Sequence, residues 1–160
     1  MNQSNLPVNA EDMFCHAIYA TWHVVNRSYK KHLARLDLTY PQYITLTLLW
    51  EKDDRTVGDI AACLAMETST LTPLLKRLEG QGRVKRERNR DDERQVVISL
   101  TAAGKALQAD AGAITGCMIA ETGLDLSELE RLVGVLGTLR AGLGGSIGGP
   151  KGITPGQTRR

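Results

Sequence analysis

Three side chains in this 160-residue chain can carry thiol chemistry: Cys15, Cys63 and Cys117. A thiolate attacks peroxides and binds metals, and its oxidation runs through a sulfenic acid that a second thiol traps as a disulfide. Three cysteines are too few, and odd in number, for a disulfide scaffold, so a reducing cytoplasm is the expected compartment. For any one thiol, burial as a small apolar residue is the commoner state, and the setting Ala61-Ala62-Cys63-Leu64-Ala65 reads that way. Cys15 lies near the amino end beside His16, which points about 100° away around a helix and is given no role. The histidines His16, His23 and His32 stand at i, i+7 and i+16, with no CxxC, HxH or HExxH spacing, so neither a metal nor a cofactor is expected. No second His-plus-acid cluster and no glycine-rich oxyanion element accompanies a cysteine nucleophile, which argues against an enzyme.

A second chemistry is concentrated between Lys76 and Arg94. Eight cations lie there (Lys76, Arg77, Arg83, Lys85, Arg86, Arg88, Arg90 and Arg94) against five anions. A basic strip on a chain of net charge +2 is suited to docking phosphates, and equally to a solvated charged hairpin. Just ahead of it Thr68, Ser69, Thr70 and Thr72 offer short hydroxyls and methyl groups, which suit base edges and thymine methyls. Lys76 and Arg77, one turn further, suit phosphate or guanine.

The elements that position these groups follow from periodicity. With 42% hydrophobic and 24% charged residues the chain can bury one ordinary core, and 4% aromatics argues against an aromatic-rich barrel. No run approaches eighteen apolar residues and the start lacks a cationic and apolar leader, so no membrane segment or secretory signal is expected. Asn9 with Asp12 reads as the cap of a long amphipathic helix ending near Leu36. Thr39-Tyr40-Pro41-Gln42 is a capping box opening a second helix through Trp50, and Thr56 with Asp59 opens a short one to Leu64. A further helix starts near Thr68 and stops at glycine, with Pro73 early in it. Residues 83–88 and 95–100 are short strand-like runs around the polar tip NRDDER, a β-hairpin. Thr101 is read as the cap of one helix to about Glu121, and Asp125 with Glu128 as the cap of another through Leu139.

The expected fold is therefore mainly α with a small β-hairpin wing, a winged helix-turn-helix at 37–100. Helices at 10–36 and 101–141 form a dimerisation lobe, because their apolar stripes have too little head to cover them. Residues 142–160, rich in Gly and Pro, read as a flexible tail. In a helix-turn-helix the second helix enters the major groove, and Arg94 at a wing tip suits the negative potential of a narrow minor groove.

RDDERQVVISLT, with LTPLLKRLEGQG before it, resembles the wing and recognition helix of the MarR family of dimeric winged-helix regulators, and the chain looks most like its organic-hydroperoxide-sensing branch. The resemblance spans Phe14 to Arg140. It implies a homodimeric repressor on a pseudo-palindromic double-stranded DNA operator. Thr68, Ser69, Thr70, Thr72, Lys76 and Arg77 would read or hold the major groove. Arg86 and Arg88 would lie on the wing, and Arg94, fixed by Asp92 as a bidentate pair, would enter the minor groove. LDLTYPQY, together with Cys15, Tyr19 and Tyr29, resembles that branch's sensor. The resemblance implies that Cys15 is the thiol oxidised by organic hydroperoxide, held by Tyr29 and Tyr40 of the other subunit, with Tyr19 a further pocket residue. Hydrogen bonds to a charged group contribute on the order of 1.5–3 kcal/mol each, so two phenols favour the thiolate without a cation. Cys117 is the candidate resolving thiol, one turn short of where related two-cysteine members place theirs; a mixed disulfide with a small thiol is the rival outcome. A MarR-type repressor released by a reversibly bound phenolic or carboxylate ligand is the alternative.

Overall fold

The computed structural model describes residues 9–89 and 92–144. Arg90, Asp91 and the tail from residue 145 lie outside the described residues. After a 3-10 turn at Ala10–Asp12, helix α1 runs Phe14–Leu33 and a second 3-10 turn covers Ala34–Leu36. Then follow α2 (Tyr40–Glu51), β1 (Arg55–Thr56), α3 (Val57–Leu64), α4 (Thr68–Gly80), β2 (Val84–Arg88), β3 (Val96–Leu100), α5 (Ala102–Ala106), α6 (Gln108–Thr122) and α7 (Leu126–Gly142). The expected order of helices and wing is present, with a mostly helical chain and one small antiparallel sheet.

Three local readings differ. Asn9 makes no side-chain cap, and Met13 is extended, so the α-helix begins only at Phe14. The sheet has three strands in the order β1-β3-β2, since Arg55 and Thr56 pair with Ile98 and Val97. A two-residue strand has no alternation to detect, and Thr56 is also the cap of α3, where its Oγ1 accepts from the Asp59 amide at 3.1 Å. The helix expected from Thr101 to Glu121 is broken at Leu107. There the Trp50 indole Nε1–H donates to the Gly104 carbonyl at 3.0 Å, at the point where the helical ladder is interrupted. Gly104 also lies so close to Arg83 that an added Cβ would sit 2.0 Å from its carbonyl oxygen.

The capping boxes at Thr39, Thr56 and Asp125 are all formed. Leu71, Leu75 and Leu78 of α4, four and three residues apart, place one face against Leu46, Leu49, Ile60 and Ile98, all at most 1% exposed. Burying each such side chain contributes about 1.5–3 kcal/mol. The turn between α3 and α4 is Ala65-Met66-Glu67, with Ala65 left-handed at φ 53°. Alanine has the smallest Cβ to strain there. Of the outer helices, α1 sends Leu33 and α6 sends Ile114 and Met118 into this core, and none of the described residues of α7 is buried.

Candidate nucleic-acid interface and thiol site

The hydroxyl run occupies the first turns of α4. Thr68, Ser69 and Thr70 are exposed, whereas Thr72 is half-buried and its hydroxyl donates back to the Thr68 carbonyl at 2.7 Å. Its donor is therefore spent within the helix, leaving a methyl and acceptor lone pairs. Lys76 and Arg77 are exposed on the same helix. Between this helix, the start of α3 and the wing lies a groove of about 580 Å³, lined by Thr56, Thr68, Thr72, Arg86, Arg94 and Gln95. Four of the sequence-selected groups, Thr68 and Thr72 of α4 with Arg86 and Arg94 of the wing, thus line one concavity, and Arg88 is exposed at the end of β2. Arg86 is half-buried, its Nη1 3.6 Å from Glu79 Oε2, which ties the wing to α4.

The Arg94 side chain is 97% accessible. The bidentate clamp expected from Asp92 is not formed: Arg94 Nε stands 4.0 Å from Asp92 Oδ1 in a single contact. Instead the carboxylate shapes the turn. Asp92 Oδ1 accepts the Arg94 amide at 3.1 Å, Oδ2 accepts from Gln95 Nε2 at 3.1 Å, and the Asp92 carbonyl accepts the Gln95 amide at 2.9 Å. A short acidic side chain commonly folds a turn in this way. The guanidinium stays exposed, with a single long contact to the Asp92 carboxylate.

Cys15 is exposed at the second residue of α1, and Tyr19 one turn later is 64% exposed with its ring edge-on to His23 at 4.4 Å. Tyr29 and Tyr40 are brought together, their ring centroids 4.6 Å apart. Trp22 meets Tyr40 at 5.2 Å, Tyr43 meets Tyr29 at 6.0 Å, and Trp50 meets Tyr43 at 6.0 Å. This aromatic chain joins α1 to α2; sequence reasoning selected only Tyr29 and Tyr40 from it, because Trp22, Tyr43 and Trp50 look like ordinary core. Burial, aided by the neighbouring Tyr40 and Tyr43, pushes the Tyr29 hydroxyl up to about 12, and burial with Tyr43 raises Tyr40. Both phenols therefore stay protonated, as donors, at any physiological pH.

One helix carries both Cys15 and Tyr29. Fourteen residues at 1.5 Å each separate them by about 21 Å along a straight axis, so they cannot meet within one chain.

Cys117 is exposed on α6, one turn before Glu121. That carboxylate accepts a very short hydrogen bond from Ser28 and faces His32 Nε2 at 2.8 Å. The Ser28 bond first, then His32, holds Glu121 below the usual carboxylate range. The cluster pins α6 to α1 and was not visible in sequence, where 89 residues separate His32 from Glu121. Cys63 is half-buried and receives the Arg55 guanidinium at 3.7 Å from its sulfur. Among the described residues no three His, Cys, Asp or Glu side chains converge as metal ligands, and no helix is long and apolar enough to cross a membrane.

Residues 27–110 match the family model described as Transcriptional regulator SarA/Rot. The chain is 41% identical over 134 residues to the HTH-type transcriptional regulator TtmR of Methylorubrum extorquens, covering 84% of this chain and 69% of that protein. It is 41% identical over 123 residues to the Organic hydroperoxide resistance transcriptional regulator of Bacillus subtilis, covering 75% and 84%. Among solved structures, AbfR of Staphylococcus epidermidis is similar at a TM-score of 0.70 and 35% identity, over 81% of this chain and 89% of that one. A structure of reduced AbfR bound to DNA is similar at a TM-score of 0.70 and 34% identity over the same shares.

Proposed function

Because the chain belongs to the SarA/Rot-type transcriptional regulators of the MarR winged-helix family, we propose that it is a redox-responsive repressor that binds a pseudo-palindromic operator as a homodimer and leaves it when organic hydroperoxide oxidises Cys15. The observation that carries this reading is the pairing of Tyr29 with Tyr40. Two adjacent phenols, protonated at physiological pH, lie where the end of α1 meets the start of α2 and form a donor site that their own Cys15 cannot reach. In the dimer the thiolate of each protomer accepts hydrogen bonds from phenols of its partner, with Tyr19 beside it. Support also comes from the likeness to the organic hydroperoxide resistance regulator of Bacillus subtilis and to the reduced, DNA-bound form of AbfR.

The chemistry is stoichiometric. The Cys15 thiolate attacks one oxygen of ROOH, the O–O bond breaks, and the departing alkoxide takes a proton to leave as alcohol. Cys15 is left as a sulfenic acid, a two-electron oxidation. A second thiolate, that of Cys117 or of a small cellular thiol, then displaces hydroxide and forms a disulfide. The added oxygen of the sulfenic acid, or the second sulfur of the disulfide, displaces the phenols from the Cys15 sulfur, so the lobe that spaces the two recognition helices shifts. Heads that must stand about 34 Å apart lose the register of successive major grooves, and each 1.4 kcal/mol of lost fit costs about tenfold in affinity. On the DNA, Thr68, Ser69 and Thr70 meet base edges, Thr72 presents its methyl, Lys76, Arg77, Arg86 and Arg88 hold phosphates, and Arg94 enters the minor groove from a turn built by Asp92.

A cavity of about 750 Å³ between α1 and the head, lined by His23, Arg27, Lys30 and Arg77 with Asp37 as the acid, favours one rival, release by a reversibly bound anionic or phenolic ligand. A gel shift on the chain's own upstream DNA separates the two. Cumene hydroperoxide releases the operator and dithiothreitol restores binding if the thiol is the sensor, and a ligand releases it without any effect of reductant. The same oxidised sample, analysed by non-reducing mass spectrometry, carries a Cys15–Cys117 link between protomers if Cys117 resolves, and a small-thiol adduct on Cys15 if it does not.

A further inference from the structure

The aromatic cluster and the recognition helix sit on opposite sides of the α1–α2 corner, and one side chain spans them. Gln81 follows the last residue of α4, its amide N–H closing on the Arg77 carbonyl at 2.9 Å. Its side-chain Nε2 donates to the Asp37 carbonyl at 2.9 Å and lies 3.1 Å from the Asp37 carboxylate. Its Oε1 accepts from Gln42 Nε2 at 3.4 Å. Gln42, 3% exposed, uses its own Oε1 to accept the Thr39 amide at 2.8 Å. Thr39 is the cap and Tyr40 the first residue of α2, so the chain of bonds ends one peptide away from the ring that touches Tyr29 and Trp22.

The corner itself is held in an uncommon shape. Asp37 is left-handed at φ 53°, which a residue with a Cβ adopts at a cost when nothing fixes it. Two of its oxygens are bonded to the Gln81 amide, so this backbone state and the end of α4 are fastened by the same group. Buried polar groups that are fully paired act as rigid links, because any displacement leaves a donor or acceptor without water. Gln42 is buried with a partner on both its amide oxygen and its amide nitrogen.

We propose that Gln81 is the positioning residue that couples the tyrosine cluster to the recognition helix, through Gln42 and Thr39 on one side and Asp37 on the other. The proposal rests on the sensing function given above and names the link by which a tilt of Tyr40 at the start of α2 reaches α4. Gln81 touches neither DNA nor the thiol in this role; it sets how far a change at one is felt at the other. Coupling between two sites in proteins typically amounts to a factor of about 5–150, and this link carries a large part of it.

The test compares operator affinity before and after cumene hydroperoxide for the full-length dimer, with Cys15→Ser as the control for sensing. In Gln81→Ala the ratio of oxidised to reduced dissociation constants shrinks about fivefold or more relative to wild type, while Cys15 is oxidised as completely and the thermal midpoint of the head moves little. Gln81→Glu sets a carboxylate against the Asp37 carboxylate and removes the donor, so it behaves like Gln81→Ala. Adding Asp37→Asn to Gln81→Glu restores a donor–acceptor pair across the corner, and asparagine tolerates the left-handed backbone. That double variant recovers most of the wild-type ratio, which a merely structural role for Gln81 does not predict. An unchanged ratio in Gln81→Ala, or no recovery in the double variant, overturns the proposal. Release of Cys15→Ser by peroxide, or a wild-type protein that peroxide does not release, overturns instead the sensing reading on which it depends.

Discussion

The head and the outer helices bury their apolar residues in opposite ways. In the head, Leu46, Leu49, Ile60, Leu71, Leu75, Leu78 and Ile98 are at most 1% exposed within a single chain. Along the first half of α1 and along α7, Phe14, Ile18, Trp22, Leu126, Leu132, Val133 and Leu136 remain 39% or more exposed. The head is thus complete as a monomer, and the lobe carries the same kind of amphipathic sequence without a surface to cover it. An exposed apolar stripe of this length marks an interaction face. The difference teaches where the fold's stability is local and where it depends on a second copy, which is also where the proposed sensing places a partner's phenols beside the thiol.

The sharpest test of that contrast is a matched pair of truncations. Leu71→Ala in the head costs about 2–5 kcal/mol of unfolding free energy, independent of protein concentration. Leu132→Ala with Leu136→Ala in α7 leaves the head's own unfolding nearly unchanged but lowers dimer stability, so that its thermal midpoint rises with concentration. Sedimentation and thermal melts at several concentrations separate the two. If the α7 pair lowers the melting temperature of a monomer as much as Leu71→Ala does, the contrast between the regions is broken.

A smaller effect is expected at the wing. Arg94→Ala weakens operator binding by about 1–2 kcal/mol, roughly tenfold, and flattens the salt dependence of binding by about one charge. Asp92→Asn keeps part of the turn and costs less, because the carboxylate bonds backbone and Gln95 more closely than it does the guanidinium. An Asp92 variant as damaging as Arg94→Ala would place the clamp, not the turn, in charge.

The smallest effect is spectroscopic. In an alkaline absorbance titration the highest tyrosine step lies near pH 12 and disappears in Tyr29→Phe. The sign is fixed by the neutral form being favoured in the fold: stability is intact below the ordinary phenol value near 10 and is lost as pH rises from there toward 12. A Tyr29 that ionises at the ordinary value would remove the buried donor pair.

Most of the head was legible in sequence because its signals are local. The Leu71, Leu75 and Leu78 spacing, the Thr39 and Thr56 caps, and the strand-like runs of the wing each depend on neighbours within a few residues. What escaped depends on contacts far along the chain. The break at Leu107 follows Trp50 reaching the Gly104 carbonyl, β1 exists only because β3 passes beside Arg55, and Gln81 meets Asp37 across 44 residues. At the thiol site, the residue types and the resemblance pointed to Tyr29 and Tyr40, and their 4.6 Å contact is consistent with that choice. Trp22 and Tyr43, which complete the cluster, carried no signal because an aromatic at helical spacing is indistinguishable from core.

The central claim is that one sulfur near the amino end governs the grip of two distant heads. Its most direct test is operator binding by Cys15→Ser across a titration of cumene hydroperoxide, beside the wild type. The account predicts wild-type affinity in the variant and no release at any peroxide concentration that frees the wild type. Release of the variant over the same range would contradict it.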